Sequence, residues 1–302
     1  MPAVADLFPG FAEHRVKTDG VEIFVRSAGS GPPLLLLHGY PQTHVCWHRI
    51  AGTLARHVTV VLADLRGYGA SSVPEGDARH AAYSKRAMAE DCVAVMRTLG
   101  HRRFMVGGHD RGGRVAYRLA LDHPDTASAL IAVDIMPTAE MWRRITAERA
   151  IGGYHWQFLA QPAPLPETLI GHAPDYYLEH TLKSWAGPRD LSVFSAEALR
   201  HYRALMRDPA RVHAMCEDYR AGATIDRQLD EADMTAGRKI SCPTLVLWGT
   251  EYLGRGATDP LDVWRAWCTS VTGQPIASGH FLAEENPEAT LAALLPFLAA
   301  CR

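Results

Sequence analysis

The stretch that most limits how this chain can fold is Phe104-Met105-Val106-Gly107-Gly108-His109-Asp110-Arg111-Gly112-Gly113, where an apolar run meets glycines on both sides of one acidic residue. The apolar part predicts a buried strand, the glycines a sharp turn, and Arg111 to Asp122 a helix that stops before Pro124. Pro33 to Leu37, Val58 to Ala63 and Ala129 to Asp134 are equally short and too apolar to face water, as in a parallel sheet covered on both sides. Between them, Met88, Cys92, Val95, Met96 and Leu99 recur at helical spacing, with Ser84 as N-cap and Gly100 as the stop. This alternation predicts the α/β class, with a mostly parallel, doubly wound sheet.

The pattern changes after Pro137. Trp, Tyr, His and Arg become frequent, the run Pro162-Ala163-Pro164-Leu165-Pro166 interrupts the chain, and buried-strand signals disappear until Pro243 to Trp248. The expected organisation is a core of residues 1–138 and 231–302 with an inserted helical cap over 139–230. Weak strand character precedes Ser278, and Asn286 to Ala300 predicts a closing amphipathic helix.

With 302 residues and 47% hydrophobic composition the chain can bury a large core. A net charge of -2 and the lack of any Lys/Arg run argue against nucleic-acid and membrane-surface partners. Cys46, Cys92, Cys216, Cys242, Cys268 and Cys301 are scattered, with no metal-ligand spacing, and read as reduced thiols of a cytoplasmic protein. No signal peptide, membrane anchor, metal site or cofactor motif is expected.

Gly108-His109-Asp110-Arg111-Gly112 has the form of the nucleophile elbow of the α/β-hydrolases, with aspartate where serine is usual. A carboxylate needs no activation and displaces a leaving group from a saturated carbon, which moves the chemistry away from ester and amide cleavage. In that fold, His38-Gly39-Tyr40-Pro41 follows the first buried strand, so the Tyr40 and Arg111 amides are the candidate oxyanion hole. His280, in Ser278-Gly279-His280-Phe281-Leu282, stands where the order of catalytic residues puts the base. Two residues could orient it: Asp134 at a strand end, or Glu251 after Trp248-Gly249. Asp134 is favoured, because Tyr252-Leu253-Gly254 departs from the usual pattern at the later position. Arg111 and Arg114, three apart on a helix beside Asp110, can clamp a carboxylate and offset its repulsion from the nucleophile.

Together with His38-Gly39-Tyr40-Pro41-Gln42-Thr43-His44, Tyr154-His155-Trp156, Cys216-Glu217-Asp218-Tyr219-Arg220 and Gly279-His280-Phe281-Leu282, this elbow resembles the fluoroacetate dehalogenases over nearly the whole chain. Tyr40 and Gly113 depart from the phenylalanine and alanine of that pattern. The resemblance implies Asp110 as nucleophile, His280 as base and Asp134 as acid. It further implies Arg111 and Arg114 on a small haloacid's carboxylate, and His155, Trp156 and Tyr219 around the halide, with Trp185 a pocket wall. No cofactor or metal is implied, and a homodimer is. An epoxide hydrolase is the enzymatic rival, with Tyr219 and one of Tyr154, Tyr176, Tyr177 or Tyr202 as proton donors. A noncatalytic receptor on the same fold is the other class.

Overall fold

The computed structural model describes residues 6–256 and 258–301. One eight-stranded sheet runs through it: β1 (Ala12–Lys17), β2 (Glu22–Ala28), β3 (Pro33–Leu37), β4 (Thr59–Ala63), β5 (Phe104–His109), β6 (Ala127–Val133), β7 (Thr244–Gly249) and β8 (Val271–Ile276). Their spatial order is β1-β2-β4-β3-β5-β6-β7-β8. β4 through β8 are parallel along the sheet, with Leu35 of β3 opposite both Val61 and Val106. β1 and β2 form an antiparallel edge, β2 pairing with β4. The expected doubly wound α/β sheet is therefore present, whereas the β1–β2 hairpin was not foreseen. Its residues mix polar and apolar types, as suits a strand pair near the edge, and carry no long apolar run.

The central strands match the sequence reading closely, since Leu34 to Leu37, Val60 to Leu62 and Leu130 to Val133 are almost wholly buried. Four strands differ from expectation at their ends: β4 starts one residue later, at Thr59, and β7 runs from Thr244 to Gly249 rather than from Pro243 to Trp248. β5 continues through Gly107, Gly108 and His109, where glycines hid the strand signal, and β6 ends at Val133, one residue before Asp134. The helix Lys85–Thr98 is capped by the Ser84 hydroxyl, which accepts from the Ala87 N–H at 3.2 Å. Gly100 follows with φ +89°.

The strand order reverses around β3 and β5, so a crevice opens beyond their C-terminal ends. Over it lies the segment joining β6 to β7, which among its described residues is helical, from Thr138–Arg143 to Ile225–Thr235. It meets the sheet side directly: the His280 N–H donates to the Trp185 carbonyl at 2.9 Å. A Cβ on Gly279 would lie 2.3 Å from the Gly187 nitrogen, so that close approach requires glycine. All six cysteines are free thiols. Among the described residues no helix is long and apolar enough to cross a membrane, and no acidic, histidine and cysteine cluster could hold a metal.

Candidate active site

At the end of β5 the chain turns so sharply that Asp110 takes φ +44° and begins the helix Asp110–Asp122. Aspartate tolerates this left-handed conformation better than most residues, and such local strain is typical of functional turns. Packing demands the flanking glycines. A Cβ on Gly108 would sit 2.3 Å from the Gly112 carbonyl, and one on Gly112 would sit 2.3 Å from that of His38. Gly113 is equally tight, 2.7 Å from the Gly108 oxygen, which gives a local reason for glycine here.

The loop after β3 reaches back to this turn. The Tyr40 N–H donates to Asp110 Oδ1 at 3.0 Å, fixing one carboxylate oxygen. The Arg111 amide lies in the first helical turn, where N–H groups have no intrahelical acceptor. Asp134 follows β6 with φ +53°. Its Oδ1 accepts from the Gly249 N–H at 2.9 Å, and its Oδ2 meets His280 Nδ1 at 2.5 Å. With a proton on Nδ1 in this bond, Nε2 keeps its lone pair and has no partner among the described residues, while burial pushes the Asp134 carboxyl well up against the pull of the Gly249 N–H. Glu251 instead pairs with Arg255 at the surface, away from the imidazole. His109 Nε2 lies 2.8 Å from the His280 carbonyl and steadies that loop.

Burial sets the charge states. It lowers His280 to about 4, against the upward pull of Asp110 and with a further downward push from Arg114. For Asp110, burial favours the neutral acid, but His280, Arg114, His109 and Arg111 outweigh it and hold the carboxyl below its ordinary value. His155 falls to about 3, chiefly through burial. At neutral pH the site thus pairs an ionised Asp110 with uncharged imidazoles.

Asp110, Arg114, Asp134, His155, Trp156, Trp185 and His280 line one cavity of about 30 Å³, together with Ile135, Met136, Met141, Tyr252 and Leu253. Arg114 is anchored by Nη1, which donates to the Met136 carbonyl at 2.9 Å and to Thr138 Oγ1 at 3.2 Å. Its guanidinium lies 4.5 Å from the Trp156 ring centre. Tyr219 packs against this lining, its ring centre 5.8 Å from that of His155 and 6.0 Å from that of Trp156, and the Arg111 guanidinium lies 4.2 Å from the Tyr219 ring centre. The Tyr219 hydroxyl and His155 Nδ1 are buried and unpartnered among the described residues. Trp185 packs 4.4 Å from the His155 ring and 5.3 Å from that of His280.

The family model for the alpha/beta hydrolase fold matches residues 32–287. The chain belongs to the α/β-hydrolase family. It is 45% identical over 296 residues to a fluoroacetate dehalogenase of Burkholderia sp, covering 98% of this chain and 96% of that protein. It is 30% identical to a soluble epoxide hydrolase of Corynebacterium sp. (strain C12), over 96% of this chain and 98% of that one. A crystal structure of an α/β hydrolase from Nostoc sp PCC 7120 superposes with a TM-score of 0.93 at 52% identity, covering 96% and 99% of the two chains.

Two features of this hydrolase site were not read from the sequence. Tyr252 packs 4.4 Å from the His280 ring and closes the cavity beside it, although Glu251 next to it had drawn attention as an acid. Asp218 grips Arg111, donors Nε and Nη2 reaching its carboxylate at 3.1 and 2.7 Å. Its place immediately before Tyr219 was the available signal.

A base at about 4 is active above that pH and is lost as protons bind below it. Once Asp110 is esterified its charge no longer raises His280, so the value does not climb during turnover. The acid limb of kcat is therefore expected near pH 4, well below an ordinary histidine, and a pH-rate profile between acid and neutral buffers reads it.

Proposed function

We propose that this hydrolase removes halide from small 2-haloacids, converting fluoroacetate and water to glycolate, fluoride and a proton, without metal or organic cofactor. The observation that carries this reading is the shared cavity: an ionised carboxylate, a fixed arginine and a histidine with a free Nε2 all face about 30 Å³. A positively charged side chain beside the nucleophile suits a small acid, and a neutral epoxide does not need one.

Asp110 Oδ2 attacks the CH₂ carbon while Oδ1 stays on the Tyr40 N–H. The carbon–fluorine bond breaks, fluoride leaves with the bonding pair, and an ester remains on Asp110. Arg114 and Arg111 hold the substrate carboxylate; His155, Trp156 and Tyr219 donate to the departing fluoride, and Trp185 walls the pocket. His280 Nε2 then takes a proton from water, whose hydroxide adds to the Asp110 carbonyl carbon. The Tyr40 and Arg111 amides receive the oxyanion, and Asp134 holds the imidazolium. Collapse expels glycolate, protonated by His280, and Asp110 loses its proton again.

Residues 139–230 act in this scheme as a cap that completes the halide side of the cavity on a core of 1–138 and 231–302. A cytoplasmic homodimer is also proposed, on the resemblance to the fluoroacetate dehalogenases. Sedimentation as a monomer at micromolar protein would remove the dimer.

Halide-selective electrodes test the activity itself on fluoroacetate and chloroacetate, with styrene oxide as control. Fluoride release with glycolate and an untouched epoxide is the expected result. Diol formation without halide release would make the epoxide hydrolase reading correct instead.

A further inference from the structure

Arg111 cannot serve its anion freely, because most of its donors are already committed inside the protein. A guanidinium carries five N–H groups. Asp218 takes three of them: Nε reaches Oδ2 at 3.1 Å, and Nη2 reaches Oδ1 at 2.7 Å and the Asp218 carbonyl at 2.6 Å. Only Nη1 remains, buried and unpartnered among the described residues. The plane of the group is fixed as well. One face meets the Tyr219 ring, 4.2 Å from its centre, and a Cβ added to Gly222 would lie 3.0 Å from Nη2 and 3.3 Å from Nη1.

Asp218 is itself held from the sheet side. Tyr68 Oη donates to Oδ2 at 2.9 Å and Lys85 Nζ donates to Oδ1. Lys85 also lies 3.7 Å from Asp226, whose Oδ1 accepts the Lys85 N–H at 2.8 Å. All of these groups are buried. A carboxylate placed on Arg111 alone would cancel the charge that an incoming anion needs. Burial and Arg111 lower Lys85, but its contacts with Asp218 and Asp226 pull the other way, and as an ammonium it offsets that cancellation, while burial pushes the Asp226 carboxyl up toward its neutral form. Stability alone is a weak reason to bury such a network, since buried ion pairs often add little over apolar packing.

We propose that Asp218, with Lys85 offsetting its charge, positions Arg111 so that Nη1 is reserved for the substrate carboxylate, and that the pair sets the preference for anionic over neutral two-carbon substrates. This rests on the dehalogenase reading. Asp218 is a positioning residue, acting through Arg111.

The test compares wild type with Asp218→Asn on chloroacetate and on its neutral isostere chloroacetamide, together with the inhibition constant of acetate. Asp218→Asn is expected to raise the KM for chloroacetate and the acetate constant by about 10- to 100-fold, the size of a lost charge-assisted contact. Turnover of chloroacetamide should stay within about threefold. Tyr68→Phe, which removes one hydroxyl and keeps the ring, should shift the same two constants about two- to fivefold. It decides the matter if Asp218→Asn fails to fold. Equal losses on the charged and neutral substrates, or an unmoved acetate constant, would overturn the assignment and leave the dehalogenase reading intact. Wild type that releases chloride from neither substrate would overturn that reading and this inference with it.

Discussion

Asp110→Asn is expected to release no fluoride above background from fluoroacetate, a loss of at least about 10⁴-fold, equivalent to some 5.5 kcal/mol of barrier. The side chain is nearly isosteric and the Tyr40 N–H still finds an amide oxygen, so the turn should persist. What disappears is the negative oxygen that attacks carbon. The uncharged amide also leaves Arg114 and Arg111 with a net attraction for the substrate, since Asp110 no longer competes for them. Haloacetate should therefore bind at least as well while turnover vanishes. An electrode trace combined with a calorimetric binding isotherm checks both halves, and a variant that keeps more than about a hundredth of wild-type turnover would show that water attacks carbon directly.

His280→Asn should separate the two chemical steps. Displacement of halide needs Asp110, the arginines and the halide donors, none of which depends on Nε2 as a base. Ester hydrolysis does depend on it, and losing a positioned general base costs about 10²- to 10⁴-fold. The variant is expected to release one halide per chain and then stop, with the acid's carbon skeleton attached to Asp110. Intact-mass spectrometry after exposure to chloroacetate should show that single addition in the variant, absent from wild type and from Asp110→Asn. An unmodified His280→Asn chain that releases no halide would place the histidine in the first step.

The fold could be read from residues whose burial is nearly total. Leu34 to Leu37 and Val60 to Leu62 have no polar alternative to the sheet centre. The helix from Lys85 carried its own cap and stop in Ser84 and Gly100. The β1–β2 hairpin escaped because its pairing depends on a partner strand: Ala12 to Lys17 has little apolar content of its own. The candidate nucleophile, base and oxyanion loop were legible because each sits directly after a strand or within a glycine-marked turn. Asp134 and Glu251 could not be separated by position in the chain alone. Their different surroundings, an imidazole at 2.5 Å for one and a surface arginine for the other, arise from how β6 and β7 lie side by side. Arg111 and Arg114 looked equivalent at helical spacing, yet one is gripped by Asp218 and the other by the Met136 carbonyl. Those partners come from remote segments, and no local pattern announces them.

Covalent capture of the substrate on Asp110 is the centre of this account, and a single turnover in heavy-oxygen water tests it most directly. With enzyme in excess over fluoroacetate, the label should enter the Asp110 carboxylate and the first glycolate should be unlabelled, because its new oxygen comes from the protein. Peptide mass spectrometry locates the label. Labelled glycolate from that first turnover, with Asp110 unlabelled, would contradict the ester intermediate and assign attack on carbon to water.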